Sequence, residues 1–176
     1  MILNTTKIET KTHHCEPPLR NTENQKAIFE NIINGNIDII GTDHAPHSSR
    51  DKEEGKPGFP GLEITMPLMI DLFNKKEITL QRIYEVLVEN PIKRFKLKNI
   101  GKIKEGYNAD LIIINENKKN KINIDRFFSK AKNSPFDKME VNGEIMKTIV
   151  NGHLVFNEGN IVTSPGTGKI LQKSID

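Results

Sequence analysis

The stretch that most constrains this chain runs from Ile37 to His47, Ile-Asp-Ile-Ile-Gly-Thr-Asp-His-Ala-Pro-His. Ile37, Ile39 and Ile40 make a short apolar, β-branched run, bounded upstream by Gly35-Asn36. A buried strand of a parallel sheet reads this way because both its faces are covered, and the pattern predicts a strand over 37–41. Apolar character ends at Gly41-Thr42, and Asp43, His44 and His47 follow at once. In parallel α/β architectures the loops at the carboxyl ends of the strands converge on one mouth, where chemistry is placed. Asp and His after a strand also serve as turn formers and helix caps, so Asp43-His44 alone supports either reading. Pro46 favours the functional one: it restricts the backbone before it and cannot continue a ladder, which fixes the direction of His47 relative to Asp43.

Bulk properties exclude several classes. With 26 Lys and Arg against 23 Asp and Glu, the net charge of +3 implies no nucleic-acid partner. The run Lys118-Lys119-Asn120-Lys121 reads as a solvated loop. The single cysteine, Cys15, excludes an internal disulfide framework and fits a reducing compartment. No stretch approaches the ~18 apolar residues of a membrane span, and Met1-Ile2-Leu3 is too short for a signal-peptide core. A soluble, cytoplasmic protein with no membrane partner is expected.

Residues 1–20 carry no clear period. His13-His14-Cys15-Glu16 contains four ligand types, but adjacent residues do not easily face one ion, and zinc sites space their ligands; no metal role is expected there. A helix is predicted over 22–34, with Thr22 and Gln25 as a capping box, Ala27, Ile28, Ile32 and Ile33 as the apolar face, and Gly35 to end it. The segment 48–61 is polar, then rich in Gly and Pro, and longer than most βα connections, which suits a functional loop. Gly58 and Gly61 let the backbone approach a ligand without a Cβ in the way. Helices are predicted over 65–73, with Pro67 in the first turn, and over 80–89, capped by Thr79 and stopped by Pro91. The stripe Met66, Met69, Leu72 and Phe73 reads as packing core. From residue 100 short β-like runs alternate with turns, at 111–114, 139–141, 145–150, 153–156 and 161–162. Asn142-Gly143 and Asn151-Gly152 are two-residue hairpin signals, and His153 beside the second reads as structural or exposed. A boundary near residue 98 divides a helical α/β part, 1–97, from a small β-rich part, 98–176.

Gly41-Thr-Asp-His-Ala-Pro-His47, followed by Lys56-Pro-Gly-Phe-Pro-Gly-Leu-Glu63, closely resembles the last-strand segment of dihydroorotases, members of the amidohydrolase superfamily of metal-dependent (β/α)8 barrels. Upstream, Pro17-Pro-Leu-Arg20 resembles that family's Asn-Pro-Pro-Leu-Arg segment. Downstream, Ile103-Lys-Glu-Gly-Tyr-Asn-Ala-Asp-Leu-Ile-Ile-Ile114 resembles the return to the small β domain. The resemblance runs in order from about residue 16 to 162. It implies an α/β fold in which the C-terminal part of a metal-dependent (β/α)8 barrel, 1–97, is followed by a small β-rich domain, 98–176. A complete barrel takes ~200 residues or more, which exceeds this chain.

The implied activity is zinc-dependent hydrolysis of a cyclic amide, the interconversion of dihydroorotate and N-carbamoyl-aspartate in pyrimidine biosynthesis, with one or two Zn2+ ions in the complete enzyme. The matching positions make Asp43 a metal ligand and general acid/base, and His47 a contact for the substrate carboxylate. Pro57 and Gly58 become backbone contacts to the dihydropyrimidine ring. Glu16 stands where the family has a substrate-binding Asn, and that role is not carried over; His44 receives no role. Allantoinase or dihydropyrimidinase-like activity is the nearest rival, and a non-catalytic subunit or interaction module is the alternative class. The family's first-strand His-x-His pair has no counterpart among the five His of this chain. The expectation is a chain inactive on its own, joined to a missing N-terminal barrel portion or forming a homo-oligomer.

Overall fold

The computed structural model describes residues 3, 4 and 13–171. Helix α1, Thr22–Ile33, is capped by Asn21, whose side chain accepts from the Asn24 backbone N–H, rather than by Thr22. Its predicted apolar face is only partly used: Ile32 is buried, while Ile28 and Ile33 are exposed. Residues 37–41 form no strand. A parallel strand exists only through its neighbours, and the one sheet among the described residues is built from later segments.

The predicted loop 48–61 contains a short helix, α2, Ser49–Glu53, opened by a capping box between Ser48 and Asp51. Helix α3, Leu62–Asn74, starts three residues earlier than its apolar stripe suggested, so Pro67 lies in its second turn. Helix α4, Leu80–Tyr84, is capped by Thr79 as expected. Pro91 does not stop the chain there. A π-helical segment, Glu85–Glu89, leads directly into α5, Asn90–Phe95, with Pro91 in its first turn. Proline lacks the N–H that an α-helix would bond to residue 87 and its ring crowds that carbonyl; a wide i→i+5 turn just before it absorbs the mismatch.

The chain divides into two compact units, Met1–Met69 with Asn120–Val141, and Ile70–Lys119 with Asn142–Asp176. The first has a core of Ile64, Leu68, Ile122, Phe136 and Val141, with Leu3, Phe59, Phe127 and Met139 packed against it. Phe59 meets Phe136 edge-on, ring centroids 6.0 Å apart. Glu63 anchors the segment after a single 3-10 turn, Ile124–Arg126, by accepting from the Phe128 and Ser129 N–H groups at 2.8 and 3.0 Å.

The second unit holds most of a four-stranded sheet in the order β1-β2-β3-β4: Leu111–Lys121, Glu140–Val150, His153–Asn157 and Asn160–Ile161. β2 pairs antiparallel with β3, with a register shift between Thr148 and Ile149, and β3 pairs antiparallel with β4. The Asn151-Gly152 turn forms as predicted, both residues at positive φ (49° and 80°) as a type I′ hairpin needs. Asn142-Gly143, in contrast, lies inside β2, which joins the two predicted runs 139–141 and 145–150 into one strand. Lys118-Lys119-Asn120-Lys121 ends β1 instead of forming a loop, and Lys118 pairs with Glu144 on β2 at 2.5 Å. Among the described residues no helix is long and apolar enough to cross a membrane.

Candidate active site

The residues singled out by the sequence lie in the first unit, where the segment 42–47 meets the loop that leads into α3. Asp43 is exposed and sits at φ +43°, in the left-handed region that a non-glycine residue rarely adopts. The residues on either side of it are tied to the loop. The Thr42 carbonyl oxygen occupies the space where a Cβ on Gly61 would be, so only glycine fits there. The Nδ1 of His44 accepts from the backbone N–H groups of Gly61 and Leu62, at 3.1 and 3.2 Å. The Ala45 N–H donates to the Phe59 carbonyl at 3.2 Å, and the Ala45 methyl fills the place of a Cβ on Gly58. Gly58, at φ +111°, and Gly61 are thus required by close approach of two backbone segments.

The loop is also tied on its other side. The Gly58 N–H donates to the His14 carbonyl at 2.8 Å. The Lys52 ammonium, on α2, donates to three carbonyls, those of His14, Lys56 and Gly58, at 3.3, 3.0 and 2.9 Å. Asp51 closes the outer face. Hydrogen bonds from Lys56 first, and then from Ser48, hold its carboxyl well below the usual carboxylate range. Half-buried Pro57 is carried between Lys56 and Gly58 in this frame.

Asp43 and His47 are presented without internal partners: among the described residues neither side chain makes a hydrogen bond or ion pair. His47 lies between Pro46 and Ser48, the residue that caps α2. Glu16 is engaged elsewhere, with its Oε1 3.0 Å from the His14 Nε2, while the Cys15 thiol turns to the Pro17 carbonyl. Among the described residues no three His, Cys, Asp or Glu side chains converge to hold a metal ion. A lone carboxylate such as that of Asp43 falls short of the three protein ligands that a catalytic zinc takes.

The roles of two contributors escape a reading of the sequence. Lys52 looks like any solvated lysine, and only the fold reveals the carbonyls it gathers. His44 left a trace: α3 is preceded by Pro60 and Gly61, neither of which carries a side-chain acceptor, so its first N–H groups need a cap from elsewhere.

The family model described as the amidohydrolase family matches residues 2–155. The chain is 39% identical over 157 residues to a dihydroorotase of Pyrococcus furiosus, covering 89% of this chain and 37% of that protein. It is 38% identical over 157 residues to a dihydroorotase of Pyrococcus horikoshii, with the same coverage of each. Among solved structures it superposes on an L-hydantoinase (dihydropyrimidinase) from Arthrobacter aurescens with a TM-score of 0.90 and 33% identity, over 97% of this chain and 40% of that one. The chain therefore spans well under half the length of the relatives it matches. Matched by the family model along most of its length, it belongs to the amidohydrolase family.

Proposed function

We propose that this chain carries the last-strand loop of a dihydroorotase-type active site. On this reading 1–97 form the end of a metal-dependent (β/α)8 barrel and 98–176 a small β-rich domain. The observation that carries it is the pairing of a rigidly tied frame with two uncommitted side chains, Asp43 and His47. The dihydroorotase relatives supply the substrate class.

The ion proposed is Zn2+, one or two per complete site; when bound it polarises the amide carbonyl and acidifies water. Asp43 contributes one ligand; no three metal-ligating side chains converge among the described residues, and on this reading the other ligands belong to the earlier strands of the barrel. The Asp43 carboxylate takes a proton from the attacking water and returns it to the ring nitrogen as the C–N bond breaks. His47 faces the substrate carboxylate, and the backbone at Pro57 and Gly58 binds the polar edge of the ring. The substrate is a small molecule, and the chain alone is expected to bind zinc weakly and to turn over nothing.

The test uses a polypeptide that joins this chain to the rest of an amidohydrolase barrel. Asp43→Asn should lower kcat about 10²–10⁴-fold, the usual worth of a general acid/base. His47→Ala should raise KM for dihydroorotate while leaving KM for dihydrouracil, which lacks the carboxylate, unchanged. A wild-type preference for dihydrouracil or a hydantoin would favour the second reading, a dihydropyrimidinase-like enzyme, for which the likeness to the L-hydantoinase speaks. Hydrolysis of no cyclic amide would leave the non-catalytic module.

A further inference from the structure

We propose that His44 is a positioning residue: through Nδ1 it acts as the N-terminal cap of α3 and so holds the Asp43 turn in its left-handed conformation. The first four N–H groups of a helix have no partner within it. At most helices a Ser, Thr, Asp or Asn one residue upstream supplies an acceptor, but α3 follows Pro60-Gly61. His44 reaches across from another segment, and its Nδ1 accepts from both the Gly61 and Leu62 N–H groups. A nitrogen that accepts two N–H bonds carries no proton, so the neutral ring holds its proton at Nε2.

The consequence falls on the residue before it. A left-handed conformation is unfavourable for any residue with a Cβ and persists only where the surroundings over-determine it. Asp43 is bracketed by Thr42, locked against Gly61, and by His44, locked to the Gly61 and Leu62 amides, while Ala45 is bonded to Phe59. Of these ties only that of His44 is made by a side chain, so it alone can be removed without altering the backbone. The cap stands on geometry; its importance for turnover rests on the proposed role of Asp43.

Two substitutions separate the ring nitrogens. His44→Asn places Oδ1 where Nδ1 was and should keep the cap. His44→Gln keeps a polar group near the position of Nε2 and loses the acceptor. Hydrogen exchange of this chain, read by mass spectrometry at the Gly61 and Leu62 amides, should quicken about fivefold or more in the Gln variant and stay near wild type in the Asn variant. In the longer enzyme, His44→Gln should lower kcat with little change in KM, and His44→Asn should restore most of it. Equal losses in both variants, or unchanged exchange in the Gln variant, overturn the proposal. Should the Gln variant not fold, 15N spectra of wild-type His44 decide: protonation at Nε2 supports the cap and protonation at Nδ1 overturns it. An inactive wild-type enzyme with the expected exchange pattern would defeat the functional reading and leave the cap standing.

Discussion

Asp71 and Gly143 carry, at the scale of single residues, the fit of α3 against β2 in the second unit. Asp71 is buried, yet it accepts from the Lys75 ammonium at 2.5 Å and from the backbone and side-chain N–H groups of Asn142 at 2.9 and 3.0 Å. Burial alone would push its carboxyl up, but these hydrogen bonds together outweigh it and hold it below the ordinary aspartate value. A carboxyl lowered in the native state contributes stability that is present above its unfolded pKa of about 4 and is lost as pH falls through the native value. Asp71→Asn should therefore destabilise the chain at neutral pH, and the gap between the two proteins should narrow below about pH 4. Urea midpoints across that range check it, and parallel curves down to pH 3 would contradict the assignment. Beside it, Gly143 is at φ +105°, and a Cβ there would collide with the Ile70 side chain. Gly143→Ala should cost roughly 2–5 kcal/mol, combining backbone strain with overpacking, read from the same midpoints. The sequence presents Asn142-Gly143 as a hairpin signal because the pair favours positive φ. Positive φ at Gly143 is what forms, in a strand that bends under Ile70 rather than in a turn. Local chemistry announces the conformation but not the long-range partner that uses it.

The same limit governs whole elements. Helices 22–34, 65–73 and 80–89 were legible from apolar spacing, since that period reports directly on which side faces a core. Their ends were less so. Thr22 was expected to cap the first of them, but the cap is its neighbour, with the Asn21 Oδ1 accepting from the Asn24 N–H at 2.9 Å. Asn21→Ala should lower stability by about 1 kcal/mol, whereas Thr22→Ala should cost well under half as much; thermal melts of the two variants check the order. The continuation of the helix through Pro91 escaped because a π turn has no composition of its own. The strand expected at 37–41 carries the right residues, yet a strand is a relation between segments, and the described residues provide no neighbour for it. The string from Asp43 to His47 stood out because it combines unusual residue types at fixed spacing. The roles of His44 and Lys52 did not, because their side chains bond to backbone groups that any sequence possesses.

At the scale of the whole molecule, apolar side chains remain in water. Ile28, Ile33, Leu62 and Phe128 are exposed in the first unit, and Leu80, Phe95, Ile103, Ile112 and Ile113 in the second, with Ile103 at 92%. A net charge of only +3 provides little repulsion between copies. Apolar surface of this kind marks an interaction face or a tendency to aggregate, so the isolated chain should self-associate. The sheet order narrows where. β1 lies at the edge of the sheet, and edge strands pair with other chains unless charges guard them. Lys118, Lys119 and Lys121 guard one end of β1, while Ile112 and Ile113 leave the other open. Sedimentation velocity should give a mass that rises with protein concentration and persists at about 0.5 M salt, where ionic contacts are screened. Ile113→Lys, which extends the guard along the strand, should shift the distribution toward monomer. A monomer at every concentration would contradict the role given to the exposed residues. Self-association unaffected by Ile113→Lys would move the contact away from β1 to the exposed face of α1, where Ile28 and Ile33 wait without cover.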